Sequence, residues 1–407
     1  MANTVLSTNH PLARKVYSVA AFAACQRAPS FTKNLTGAAP VQSDAEKKLK
    51  GQTSADMPIV RVTDLSKSAG DKVSVDMYHT IGGKPVMGDR KLAGNMSDLT
   101  FASMDISINQ VRKGVDPGGR MTQQRTLHNL RSVALANLSG WWGRYQDQMT
   151  LVHVAGARGF QSGSDWIVPL ESDPDFNDIA VNPVLPPSRN RAFYASNATS
   201  PASIDATDIL KLDDLDRIRA AIDEMAYPPN PIRLPGDPAV DDEPLYCLMV
   251  TPRQWYQILK NTDTQNWRTF LANAYERGRF TNHPLFSGTT GMWAGFVIKK
   301  MRRSIRFPTG SAVRIYDTDQ TTITTSTTTV DVDRALLLGG QALAIVYGKN
   351  QKSDYYMAWH EETTDHGNTV EMSLAAMNGF AKLKFTDVDG NPTDHGVITI
   401  DSCAPAV

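Results

Sequence analysis

Cysteine is scarce in this chain. Three occur in 407 residues, Cys25, Cys247 and Cys403, and their wide, odd spacing excludes a disulfide framework and a zinc knuckle. They read as small hydrophobes. No apolar run approaches the roughly eighteen residues that a membrane-spanning helix needs. A secretory leader is missing too, because Arg14, Lys15 and Tyr17 interrupt Leu12 to Cys25 and leave no apolar h-region. The product is therefore expected to be cytosolic when made. Nor is there an excess of either charge: 42 Lys plus Arg face 42 Asp plus Glu, which argues against a nucleic-acid binder driven by counterion release. The balance is uneven locally. Residues 1–60 carry seven Lys or Arg and three Asp or Glu, a net of +4, as expected of a solvated arm.

Catalytic signatures are equally sparse. Gly82-Gly83-Lys84 lacks the spacing and the Ser or Thr of a phosphate loop. Gly159-Phe160-Gln161-Ser162-Gly163 sets its serine one position too late for a nucleophile elbow. His360-Glu361-Glu362 with Asp365 and His366 resembles a metal cluster, yet its histidines are six apart rather than four. Asp387-Val388-Asp389-Gly390-Asn391 echoes a calcium loop but has glycine at the fourth position and no closing glutamate. A hairpin turn through Gly390, Asn391 and Pro392 explains it better. No cofactor, metal or catalytic group is expected, and a soluble hydrolase or metal enzyme would rest on the His360 to His366 cluster alone.

What is present is reach. With 41% hydrophobic and 21% charged residues the chain is globular and large enough for two cores. From Asp71 to Thr80, Val73, Val75 and Met77 alternate with Ser74 and Asp76, the period of a strand with one wet face. A tip from Ile81 to Gly94 follows, rich in glycine and carrying Lys84, Asp89, Arg90 and Lys91. On the return arm Leu99 and Phe101 fall in one phase and Met104, Ile106 and Ile108 in the other, which predicts a bulge near Ser103. A two-stranded ribbon is marginal alone in water, so a neighbouring subunit is its expected cover.

The spacing of Leu127, Leu130, Ala134, Leu138, Trp141, Tyr145, Met149 and Val152 predicts one helix from Met121 to about Ala157, roughly 55 Å long. Gly140 and Gly143 interrupt it and mark an expected bend. Trp141 and Trp142, adjacent on this helix, are not expected to face one core: either one meets a partner or the extended loop, or the subunit's own fold covers both. Further on, helices are predicted over Asp205 to Ala226, with Asp205 or Thr207 as N-cap, over Pro252 to Lys260 capped by Thr251, and over Thr264 to Arg277. Strands are predicted at Leu245 to Val250, Gly295 to Met301 and Val313 to Tyr316, with an exposed threonine-rich piece at Thr321 to Thr329. Ala335 to Tyr347 must be buried, and short strands are expected from Asp354 to Ile400.

Several stretches are familiar in order: Gly88-Asp89, Leu99-Thr100-Phe101, Ile106-Ser107-Ile108-Asn109-Gln110-Val111-Arg112, Met121-Thr122-Gln123-Gln124-Arg125, Arg334-Ala335-Leu336-Leu337-Leu338-Gly339, Asp365-His366-Gly367-Asn368, Gly379-Phe380-Ala381-Lys382 and Gly396-Val397-Ile398-Thr399-Ile400-Asp401. Together they resemble the major capsid proteins of N4-like tailed bacteriophages over nearly the whole chain. The resemblance implies an α+β fold of the Hong Kong ninety-seven type. Its expected parts are an N-terminal arm (1–56), an extended loop with flanking peripheral strands (57–118), a peripheral domain with a spine helix (119–203), an axial domain (204–340), and a return to the peripheral domain (341–407).

It further implies an icosahedral phage head of hexamers and pentamers around double-stranded DNA held without sequence specificity, with the virion as location. The implied partners are other copies of the chain, a portal protein, a separate scaffolding protein and a decoration protein, with no membrane. An encapsulin-like nanocompartment is the alternative in the same fold. Expected contacts between subunits are the tip residues Lys84, Asp89, Arg90 and Lys91. A second set comes from the basic run Lys299, Lys300, Arg302, Arg303 and Arg306 and from the acidic segment 205–243, which holds Asp241 and Asp242 among eleven acidic against four basic residues, a net of −7. Lys84 and Lys91 invite comparison with relatives that crosslink Lys to Asn. No crosslink is expected here.

Overall fold

A computed structural model describes residues 32, 35–36, 56–63, 70–78, 84–94, 96, 100–118, 120–125, 130–161, 165–234, 243–281, 284–286, 290–348, 357–387 and 390–405. The spacing of Leu12, Val16, Val19, Ala20 and Ala23 predicts a helix from Pro11 to Arg27; that stretch, together with Gly82, Gly83, Leu127, Asp241 and Asp242, lies outside the described residues.

Chain order gives β1 (Ile59–Val62), β2 (Lys72–Tyr78), β3 (Phe101–Ser107), β4 (Asn109–Val115), α1 (Arg120–Arg125), α2 (Leu130–Ala155), α3 (Phe176–Ala180), β5 (Ala192–Tyr194), α4 (Leu212–Asp223), β6 (Tyr246–Val250), α5 (Pro252–Asn261), α6 (Thr264–Thr281) and β7 (Thr290–Trp293). There follow β8 (Phe296–Lys300), β9 (Ile305–Phe307), β10 (Ala312–Tyr316), β11 (Ile323–Thr327), β12 (Val332–Leu338), β13 (Leu343–Tyr347), β14 (Met357–Thr364), β15 (Thr369–Lys382), β16 (Lys384–Thr386), β17 (Pro392–Asp394) and β18 (Val397–Cys403).

Two sheets carry the architecture. In the five-stranded sheet, β15 is the common member: β13 and β14 pair with one edge in succession, β4 pairs with the other, and β1 joins β13 in parallel. The seven-stranded sheet runs β5-β18-β12-β6-β8-β7, with β9 also on β12. Helix α2 lies between them, burying Leu138, Trp142, Tyr145, Met149 and Val152 in a core shared with Phe380 of β15 and Leu336 of β12. A second core forms where α4, α5 and α6 cover the other face of the seven-stranded sheet, with Leu215, Ile218, Trp255 and Phe270 against Leu248, Ile298 and Leu337.

Local signals placed several elements correctly. Thr251 caps α5 by accepting from the Gln254 amide, and the Gln254 side chain accepts in return from Thr251 N–H. Asp387 accepts from the Asn391 amide and Gly390 takes φ +88°, closing the β16–β17 turn. Other expectations are corrected. The helix expected from Asp205 begins only at Leu212, because Asp205 and Asp208 close a turn of their own and Asp214 accepts the Lys211 amide. The expected short C-terminal strands include β15 with 14 residues, where Ala375, Ala376 and Gly379 blur the strand pattern. Within 341–407, β13, β14 and β15 lie in the five-stranded sheet, β16 and β17 pair with each other, and β18 joins the seven-stranded sheet.

The bulge near Ser103 does not exist: β2 and β3 pair without a break from Lys72↔Ser107 to Tyr78↔Phe101. Ala102, not Phe101, opens the inward phase that continues through Met104 and Ile106. The change of phase comes after β3, where Ile108 separates it from β4.

Candidate assembly interfaces

The ribbon has two different halves. At its root Val73, Val75, Met77, Ala102 and Met104 pack on Val60, Val62, Ala344, Val346, Leu383 and Phe385, so the subunit covers this part itself. Asn182 fastens the root. Its amide donates to the carbonyls of Ser107 and Phe380 while its oxygen accepts the Ser107 amide. Gly379 permits this crossing, for a Cβ there would stand 2.1 Å from Ser107 O.

At the tip nothing in the described chain gives such cover. Lys84, Asp89, Arg90 and Lys91 are all exposed. Beside them Met87, Leu92 and Met96 are 69, 61 and 72% exposed, and Phe101 at the start of β3 is 66% exposed. Glycine and charge dominate the sequence of the tip and hide this apolar component, whose one signal is three large apolar residues among ten positions that are otherwise polar or small.

Helix α2 runs unbroken from Leu130 to Ala155, about 39 Å. The expected longer beam is represented by α1 and α2, with residues 126–129 between them outside the described chain. Gly140 faces open space, where an added Cβ would meet nothing within 4 Å, whereas Gly143 is buried. The two tryptophans do share one core, contrary to expectation: Trp142 is buried in it, and Trp141, half-buried, packs against it by stacking on Tyr145 at 5.5 Å. Buried Asp147 accepts from both the amide and the hydroxyl of Thr32, and Leu35 enters the same core. The arm is thus tied to the spine helix at Thr32 and Leu35.

Two residues of the basic run are engaged inside their own chain. Arg303 bonds Asp165, and Arg306 grips Asp333 with two bonds of 2.6 and 2.9 Å. Arg302 is exposed. Acidic residues of 205–223 also have local partners, Asp214 with Arg217 and Asp223 with Arg219. Glu361, part of the tempting metal cluster, accepts two bonds from Arg131 and one from Trp359 Nε1, so it is committed to holding α2 against β14.

Two buried ion pairs that the sequence did not announce lie in the interior. Arg334 meets Asp401 at 2.7 and 2.8 Å and donates a third bond to Ala155 O at the end of α2. Lys382 meets Asp394 at 2.8 Å and Pro186 O at 3.0 Å. The signal was a charged residue inside an apolar strand.

His153, near the end of α2, is 1% exposed and stacks on Phe380. Burial pushes its pKa from 6.5 down to about 4. The folded form therefore holds His153 neutral while the unfolded chain takes up a proton as pH falls below 6.5. Stability should drop by roughly 3 kcal/mol between pH 6.5 and 4. Thermal midpoints measured across that range should fall, and His153→Leu should flatten the fall. An unchanged acid slope in the variant would refute this assignment.

The long ribbon, the helix crossing between two sheets and the uncovered tip describe a subunit built to meet copies of itself. A model of the phage capsid protein family matches residues 5–406. The chain belongs to that family. It is similar to the major capsid protein of Pseudomonas phage KPP25, with 26% identity over 358 residues, 86% of this chain and 88% of that one. Among solved structures, the capsid of Ralstonia phage GP4 aligns at TM-score 0.73 and 27% identity, covering 100% of this chain and 99% of that one. The capsid of cyanophage Pam1 aligns at TM-score 0.59 and 18% identity over 100% of both chains.

This phage capsid protein thus has the α+β tailed-phage capsid fold, and its place is the virion head. Its relatives are phage head capsids, which removes support for the encapsulin-like alternative. None of its described helices is long and apolar enough to cross a membrane.

Proposed function

We propose that copies of this chain assemble as hexamers and pentamers into an icosahedral head enclosing double-stranded DNA, and that the protein works through geometry without catalysis. The uncovered apolar tip of the ribbon carries the reading. Exposed apolar groups rimmed by charge mark association surfaces, and here Met87 and Leu92 sit among Lys84, Asp89, Arg90 and Lys91. Their occupant is a neighbouring copy.

In this scheme 1–56 is the arm, 57–118 the extended loop, 119–203 the peripheral domain with its spine, 204–340 the axial domain and 341–407 the return. Gly140 and Gly143 are where the spine bends as a precursor shell expands. Arg302 faces Asp241 and Asp242 of a neighbour across the capsomer, with Arg303 serving first its own Asp165. A portal, a separate scaffolding protein and a decoration protein complete the particle, and a chain of zero net charge holds DNA without reading its sequence.

The test is direct. Protein expressed with and without a scaffold is sized by gel filtration and imaged by electron microscopy. Megadalton shells are expected, and a stable 44.6 kDa monomer under every condition would overturn the reading.

A further inference from the structure

The hairpin of β10 and β11 forms a separate two-stranded sheet. Its inner face is anchored, since Val313 and Ile315 belong to the main core. Both ends are fixed as well. Asp319 accepts from the amides of Thr321 and Thr322 at the turn, and Thr328 exchanges bonds with Pro308 and Ser311 at the base. The hairpin is therefore a rigid platform.

Its hydrogen bonds define what the outer edge offers. Asp317 N–H donates to Thr322 O, and Thr328 N–H donates to Ser311 O. With the register Ile315↔Thr324 and Val313↔Ser326, even-numbered residues of β11 turn their backbone groups toward β10. Antiparallel alternation then directs N–H and C=O of Ile323, Thr325 and Thr327 outward. The opposite edge, on β10, is met by the chain, where Tyr316 N–H donates to Pro187 O. Among the described residues β11 has no second strand partner. The 3-10 turn Pro201–Ser203 lies near it, and Thr329 Oγ1 donates to Ile204 O beyond its end.

Edges of this kind are normally protected by charge, proline, a bulge or a covering segment. Charge, proline and a bulge are absent from this one, and what lies beside it is the three-residue turn Pro201–Ser203. From Gln320 to Val330 the sequence Gln-Thr-Thr-Ile-Thr-Thr-Ser-Thr-Thr-Thr-Val holds no charged residue and no proline. It also reads nearly alike in both directions about Thr325: Thr324 answers Ser326, Ile323 answers Thr327, and Thr322 answers Thr328. An antiparallel partner with the same sequence thus sets like against like, with no charge repulsion and with favourable Thr–Thr and Ile–Thr cross-strand pairs.

We propose that β11 is a homotypic seam, pairing antiparallel with β11 of a second copy about a two-fold axis through Thr325. Thr325 meets Thr325 of the partner subunit, and Ile323 meets the partner's Thr327. A few backbone bonds give a weak contact singly, and many copies in one shell make it effective through linkage. The inference rests on the shell reading above.

The test places one cysteine, Thr325→Cys, in a Cys25→Ser background; Cys247 and Cys403 are buried. Directly opposed strand positions lie about 5.5 Å apart at Cα, within disulfide range. Mild oxidation of assembled particles should convert most of the chain to a covalent dimer. Ser326→Cys, one residue on and facing the core side, should give at least tenfold less. Particles that form normally yet give no Thr325→Cys dimer, or that crosslink Thr325→Cys only to a different protein, would overturn the seam while leaving the shell reading intact. Failure to form particles with the unmodified chain would count against the shell reading instead.

Discussion

Arg334→Ala is expected to destabilise the subunit by about 3–5 kcal/mol, because it leaves Asp401 charged and unpaired in the interior. Arg334 is fully buried and Asp401 is 2% exposed. They are opposite each other in the β12–β18 ladder, and the third bond of Arg334 satisfies the carbonyl of Ala155, the last residue of α2. One side chain therefore ties the spine helix to the seven-stranded sheet, and its guanidinium also lies 5.0 Å from the ring centre of Phe307. A loss of this size is a large part of the roughly 5–15 kcal/mol that holds a domain folded.

The contrast within the same protein is useful. Arg144 and Asp165 form a pair whose side chains are 47 and 57% exposed, and such pairs contribute about 0–1 kcal/mol. Urea unfolding of assembly-arrested subunits should separate the two variants clearly. An Arg334→Ala midpoint no lower than that of Arg144→Ala would defeat the argument. The pairwise replacement Arg334→Met with Asp401→Leu should recover most of the loss, since removing both charges removes the desolvation penalty with them.

Deleting Gly83 to Ala93 should act in the opposite manner, leaving the subunit folded and weakening the shell. The described residues from Lys84 to Ala93 are exposed or half-buried and outside the hydrophobic cores, so unfolding of the isolated subunit should change by less than about 0.5 kcal/mol. In the shell, burial of Met87 and Leu92 against a neighbour is worth roughly 1.5–3 kcal/mol apiece. Heated shells should come apart at distinctly lower temperature, or fail to close. Met87→Ser with Leu92→Ser tests the apolar component while keeping all four charged residues. If those shells match the parent in thermal disruption, the tip is not the clasp proposed for it.

The parts of the fold legible in the sequence were those governed by neighbours along the chain. Alternation in β2, the Thr251 and Gln254 cap, and the Asp387 to Asn391 turn all draw their energy from residues within a few positions. What escaped was decided by distant partners. The register of β3 depends on Ala102 rather than Phe101 joining the cluster of Phe385 and Leu383. The start of α4 is a different case, a choice between local carboxylates: Asp214 takes the Lys211 amide while Asp205 and Asp208 close a turn of their own. Arg334 and Lys382 carry no local sign of a partner, because Asp401 and Asp394 stand 67 and 12 residues away along the chain. The tip gave up its charged residues readily but not its apolar ones, because isolated Met and Leu in a polar run carry no periodic signal.

The order in which strands are added has a consequence for synthesis. β1, near the start, pairs with β13, and β5 pairs with β18 at residues 399–401. The seven-stranded sheet has β18 between β5 and β12, so a ribosome-bound chain cannot finish that sheet before Val397 to Cys403 have emerged. Such distant pairings make folding slow. They also act as a check on synthesis: a chain cut short before Val397 leaves β5 and β12 with open edges and Arg334 without its carboxylate, and is unfit to assemble.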